Sequence, residues 1–121
     1  MESCPLTEHA EKIALYKSGM IKFTQQDFTG ALAEFDRALA LDPQFADVHQ
    51  SMAHCYEKIG DLDRALASAQ KAVEYNPDDF LAHTSLSTFY MNKDMIPEAE
   101  AEAAKARMLD WKRQLKEGGD S

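Results

Sequence analysis

The stretch ALALDPQFADVHQ, Ala38 to Gln50, closes one segment at Leu41-Asp42-Pro43 and opens another at Phe45-Ala46-Asp47. AVEYNPDDFLAHT, Ala72 to Thr84, has the same rhythm. Pro43 and Pro77 stand 34 residues apart. The same interval separates Ala31, Ala65 and Ala99, then Ala38, Ala72 and Ala106, then Leu41, Tyr75 and Leu109. Tyr56 with Tyr90, and His49 with His83, share the register. A fixed period of this length is the mark of a repeat architecture. The third copy has Trp111 where the first two have proline.

Each copy divides into two helical patterns. Val48, Met52, Cys55, Tyr56 and Ile59 follow the spacing of one helical face, and Gly60-Asp61 then interrupts it. Glycine tolerates the left-handed turn after a helix, and aspartate caps the helix that follows. A second stripe runs through Leu62, Ala65, Leu66, Ala69, Ala72 and Val73 and stops at Asn76-Pro77. The pattern predicts helices over about 7–24, 28–41, 45–58, 62–75, 79–92 and 96–116. Ala53 faces Ala65 and Ala72, Gly19 faces Ala31 and Ala38, and Ser87 faces Ala99 and Ala106. Small residues at these places let antiparallel helices approach closely. One such pair cannot bury its apolar face alone, so stacked neighbours must supply the core.

The 121 residues fit a single domain, with units at about 12–45, 46–79 and 80–113 and an extension over 114–121. The first few residues and Gly118-Gly119-Asp120-Ser121 are expected to be disordered. A net charge of −8 argues against nucleic acid and against anionic membranes as partners. The N-terminus has no basic segment followed by an apolar run, so a cytoplasmic location is expected. Cys4 and Cys55 read as free thiols, with Cys55 a small buried residue.

These features resemble the tetratricopeptide repeat family, a 34-residue helix–turn–helix. The resemblance covers about Lys12 to Arg113. Unit one matches at Leu15, Gly19, Ala31, Phe35, Ala38 and Pro43 and departs at Lys22, beside Phe23. Unit two matches at Met52, Ala53, Tyr56, Gly60, Ala65, Ala72 and Pro77 and departs at Ala69, where a large aromatic is common. Unit three matches at Leu86, Ser87, Tyr90, Ala99 and Ala106 and departs at Ala103 and Trp111. The resemblance implies an all-α, right-handed solenoid of three antiparallel helix pairs with a lengthened last helix. It also implies a binding function without catalysis: an adaptor, scaffold or assembly factor.

In such a solenoid the first helix of each pair lines a concave groove. Projected here, the groove comprises Ile13, Tyr16, Met20, Asp47, Gln50, Ser51, His54, Leu81, Thr84, Ser85 and Thr88. It would take an extended or helical segment of another protein. Tyr16 and Met20 are the expected apolar anchors. His54 would lend the site a charge that changes near neutrality. Family members that hold chaperone C-terminal tails use a clamp of Lys, Asn and Arg. The corresponding Tyr16, Met20, Ser51, Leu81 and Ser85 provide none of these, so a tail adaptor of that type is not expected.

No cofactor or metal is expected. His49 and His54 are five apart and do not share a helical face, and two ligands at His49 and His83 would not complete a zinc site. Both histidines read as packing residues at the helix interface. Cys55 and His54 point about 100° apart and form no dyad. There is no Gly-x-Ser-x-Gly elbow and no Gly-rich phosphate loop. Glu98, Glu100 and Glu102 suit the positive end of the last helix, and no acid–base pair is expected.

Without a proline at 111 the last helix can continue through Leu115. Met108, Trp111 and Leu115 then share a face. The first expectation is that this extension folds over its neighbour as a cap. The second is that the stripe meets another copy in a twofold homodimer.

Overall fold

The computed structural model describes residues 5–118, so Cys4 and the segment after Gly118 lie outside it. Six helices follow one another: α1 (Pro5–Thr24), α2 (Phe28–Leu41), α3 (Ala46–Lys58), α4 (Leu62–Tyr75), α5 (Phe80–Asn92) and α6 (Ile96–Gly118). No strand occurs among the described residues. The helices pack as antiparallel pairs α1–α2, α3–α4 and α5–α6. Pairs join through α2 against α3 and α4 against α5, a three-pair solenoid.

The turns inside the pairs repeat at the same interval as the sequence. Gln26, Gly60 and Asp94 all have positive φ, at 65°, 88° and 63°. Just beyond each, an amide bonds back to a carbonyl five residues earlier: Asp27 to Lys22, Asp61 to Tyr56 and Met95 to Tyr90, each at 2.9 Å. This closes the helix end in the manner of a Schellman turn. Asp27 and Asp61 then cap the following helices, accepting from the amides of Gly30 and Arg64. Phe45 and Asp79 cap α3 and α5 rather than beginning them, and the Asp79 carboxylate accepts from the Leu81 amide.

The small residues sit where close approach is needed. Ala31, Ala38, Ala65, Ala72, Ala99 and Ala106 are all buried. A Cβ at Gly19 would come within 3.0 Å of the Phe35 ring, so only glycine fits there. The Ser87 hydroxyl donates to the Ala99 carbonyl at 2.7 Å.

Each core lies between units. The first joins Leu15, Ala31, Phe35 and Ala38 to Val48, Met52 and Cys55 of α3. The second joins Ala53, Ala65 and Ala69 to Leu86 and Phe89 of α5. The 34-residue register makes Phe35 equivalent to Ala69, and Cys55 equivalent to Phe89. A large residue from the first unit thus meets a small one, and at the second boundary the sizes are exchanged. Ala69 departs from the repeat pattern because Phe89 brings the volume from the other side.

The histidines pack at helix interfaces and also hold the turns between pairs. His49 Nε2 lies 2.8 Å from the Pro43 carbonyl, and His83 Nε2 lies 2.7 Å from the Pro77 carbonyl. The expectation for Glu102 needs correction. It is buried, and its Oε2 lies 2.6 Å from His83 Nδ1. Its register places it on the face of α6 turned towards α5, where a dipole role alone does not account for it. Both nitrogens of His83 face acceptors. Either the ring carries two protons or Glu102 carries one.

Candidate partner-binding groove

The groove residues come from the first helix of each pair, but they do not all form one surface. Met20 on α1 meets Ser51 and His54 on α3, and together with Phe23 they line a cavity of about 220 Å³. The Ser51 hydroxyl donates to the Met20 sulfur at 3.3 Å. On its other side the His54 ring lies 5.6 Å from Phe89 of α5, and Nδ1 is 3.7 Å from Glu57. His54 therefore touches residues of both its own helix and the next pair. Phe23 was not among the predicted groove residues. Its signal was an aromatic one place beyond the position where the repeat pattern has one.

Tyr16 behaves differently from expectation. Its ring lies 5.4 Å from Phe45 and 6.2 Å from Phe35, and it packs against the first core. Lys12 stands above the same Phe45 ring and pairs with Asp42 at 2.8 Å. Its hydrogen bond holds the Asp42 carboxyl below the usual carboxylate range. Tyr16 thus anchors α1 to the turn before α3. Ile13, Gln50 and Ser85 are half-buried, whereas Asp47 and Leu81 are exposed.

Thr84 and Thr88 belong to another cleft, of about 330 Å³, between α5 and α6. Ala103, Arg107 and Asp110 also line it. Both hydroxyls turn back on their own helix: Thr84 donates to the Phe80 carbonyl and Thr88 to the Thr84 carbonyl. Their hydrogen-bonding capacity is partly taken up before any ligand arrives.

At the far end α6 continues unbroken to Gly118. Met108, Trp111 and Leu115 are 51%, 56% and 54% exposed. Met108 also lines a cleft with Val73 and Pro77, and the Arg113 guanidinium stands over the Phe80 ring of α5 at 5.3 Å, so the extension meets its neighbour while its apolar face stays about half exposed.

The 34-residue register, the paired helices and the inter-unit cores agree with the family comparison, in which residues 22–83 match the tetratricopeptide repeat. The chain belongs to the tetratricopeptide repeat family. Among curated TPR relatives, the Hsp70-Hsp90 organizing protein of Triticum aestivum is 31% identical over 61 residues, covering 50% of this chain and 10% of the relative. Protein STIP1 homolog of Dictyostelium discoideum is 26% identical over 106 residues, covering 87% of this chain and 19% of the relative. The chain therefore spans only a tenth to a fifth of these relatives. The crystal structure of MamA superposes with a TM-score of 0.81 at 24% identity, covering 89% of this chain and 63% of that one. The second TPR of Spaghetti (RPAP3), bound to the HSP90 peptide SRMEEVD, superposes with a TM-score of 0.78 at 19% identity, covering 82% of this chain and 92% of that one. These likenesses establish the TPR fold.

Proposed function

We propose that this TPR unit is a non-enzymatic adaptor that holds a segment of another protein against α1, α3 and α5. The observation that carries this reading is the meeting of Met20, Phe23, Ser51 and His54 from two helices around one cavity. A thioether and an aromatic ring supply apolar contact, while a hydroxyl and an imidazole fix orientation, the usual chemistry of a recognition pocket. Gln50 and Asp47 continue the α3 side of the groove, and Leu81 offers an exposed apolar contact on α5. A neighbouring TPR structure holds an HSP90 peptide, which supports a peptide or helix as ligand. The clamp positions Tyr16, Met20, Ser51, Leu81 and Ser85 carry no cation and no asparagine, which favours a ligand other than an acidic C-terminal tail.

The test compares wild type with Gln50→Ala/His54→Ala in affinity capture from native lysate. Tyr16 is left in place because its ring belongs to the first core. Truncating two groove side chains should weaken a specific partner by at least about tenfold. Recovery of the same partners by both proteins, with circular dichroism unchanged, would remove the groove from consideration.

A further inference from the structure

The repeat register provides an internal comparison for α6. Leu109 corresponds to Tyr75, Met108 to Glu74 and Ala40, and Trp111 to Pro77 and Pro43. In the second unit the Tyr75 ring lies 5.4 Å from His49 and packs beside it. The third unit has only Leu109 at that place. A cleft of about 710 Å³ opens beside His83, walled by Val73, Pro77, Ala104 and Met108. At 100° per residue, Ala104, Met108, Trp111 and Leu115 fall within about 60° of one another, so the cleft leads into the exposed stripe on α6.

Charge distinguishes this face from the rest of the protein. The chain carries −8, yet residues 103–118 hold five basic and two acidic side chains, and the acid that α4 adds to the cleft wall, Glu74, is paired with Lys71 at 3.7 Å. The two acids, Asp110 and Glu117, are both engaged by Arg113. Lys105, Lys112 and Lys116 recur at i, i+7 and i+11 and form one row beside the stripe, while Arg107 lies on the opposite flank. Arg107, Lys112 and Lys116 take part in no ion pair among the described residues, whereas Lys105 leans on Glu102 at 3.2 Å. An antiparallel twofold pairing through Trp111 would set one lysine row against its copy. A parallel pairing would set that row against Arg107. Like charges opposed in this way disfavour a second copy of the chain. A lipid surface is planar, whereas this cleft is recessed between α4 and α6.

We propose that the α4–α6 face binds an acidic amphipathic helix of a partner protein. Its apolar side lies in the cleft beside His83 and along Met108, Trp111 and Leu115. Its Asp and Glu residues meet the lysine row. From Ala104 to Leu115 the face is about 16 Å long, which matches about three helical turns. The surface shares no residue with the Met20–Ser51–His54 cavity, so the protein can hold two ligands at once.

Trp111 is the only tryptophan and lies on the face itself, so its emission reports occupancy. The full chain is titrated with a synthetic helix-forming peptide carrying leucines on one face and glutamates on the flanks. The same peptide with lysines replacing glutamates, and phosphatidylcholine–phosphatidylserine vesicles, are run in parallel. The glutamate peptide should shift Trp111 emission to the blue and saturate below about 1 mM. Its binding should weaken with added salt. Lys112→Glu/Lys116→Glu should lower the affinity at least tenfold, and Gln50→Ala/His54→Ala should leave it unchanged. The proposal is overturned by an equal response to both peptides, by no response, or by loss of binding in the groove variant. It is also overturned if vesicles alone shift the emission. Sedimentation showing a dimer held through Trp111 would likewise exclude it.

Discussion

Cys55 sits fully buried with Leu15, Phe35, Val48 and Met52, and burial pushes its thiol up to about 11 from the ordinary 9.0. A buried thiolate would lose its hydration, so the folded state keeps the proton that the unfolded state releases. The folded value is raised, so this contribution to stability is complete below about pH 9 and is lost as pH climbs through about 11. Urea unfolding at pH 8 and pH 10.5 should show wild type losing up to about 2 kcal/mol more than Cys55→Ala. Equal losses would mean that the thiol ionises in place. The turn residues make a second residue-scale case. Gly60 was legible as a turn because glycine advertises positive φ, whereas Gln26 and Asp94 give no such sign and are found only by carrying the 34-residue register across. Asp94→Gly should raise stability by about 0.5–1 kcal/mol, since a side chain in that conformation is strained. Gly60→Ala should cost about 1 kcal/mol through backbone alone, because a Cβ there would meet nothing within 4 Å. Thermal denaturation reads both, and shifts of the same sign would contradict the account.

Between elements, the exchange of sizes across the two unit boundaries is the feature most open to measurement. Ala69→Phe alone should overpack the second core by about 1–3 kcal/mol. Phe89→Cys alone should leave a cavity and cost about 3 kcal/mol. Together they recreate the Phe35–Cys55 arrangement of the first boundary, so the double variant should be more stable than the sum by at least about 1 kcal/mol. Additive losses in urea unfolding would show that the boundaries are not interchangeable. The buried His83–Glu102 contact belongs to this scale too. Periodicity places each residue on a helix, but a polar contact between α5 and α6 depends on how the two helices are rotated, which no spacing within one helix records. Glu102 resembled its exposed neighbours Glu98 and Glu100 in sequence and differs from them only in facing inward.

At the scale of the whole molecule, helix number and pairing could be read from the period, and every helix limit to within two residues, because a solenoid repeats one local packing problem. The candidate site was legible only in part. Met20, Ser51 and His54 do converge, since their face is set by helical spacing. Tyr16 is on that same face, but Phe45 arrives from the following turn and draws its ring into the core. Thr84 and Thr88 open onto α6 because no further helix among the described residues covers that end. A face can be inferred from sequence, whereas its covering depends on the neighbour.

The exchange of sizes also sets grammar. Unit one ends in a surface shaped for cysteine, and unit two ends in one shaped for phenylalanine. Inserting a second copy of unit two after the first would bring Cys55 of the copy against Ala69, leaving a void where Phe89 now sits. That junction would be weaker by roughly 3 kcal/mol. The order of the units is therefore written into their edges, and this array resists growth by simple duplication.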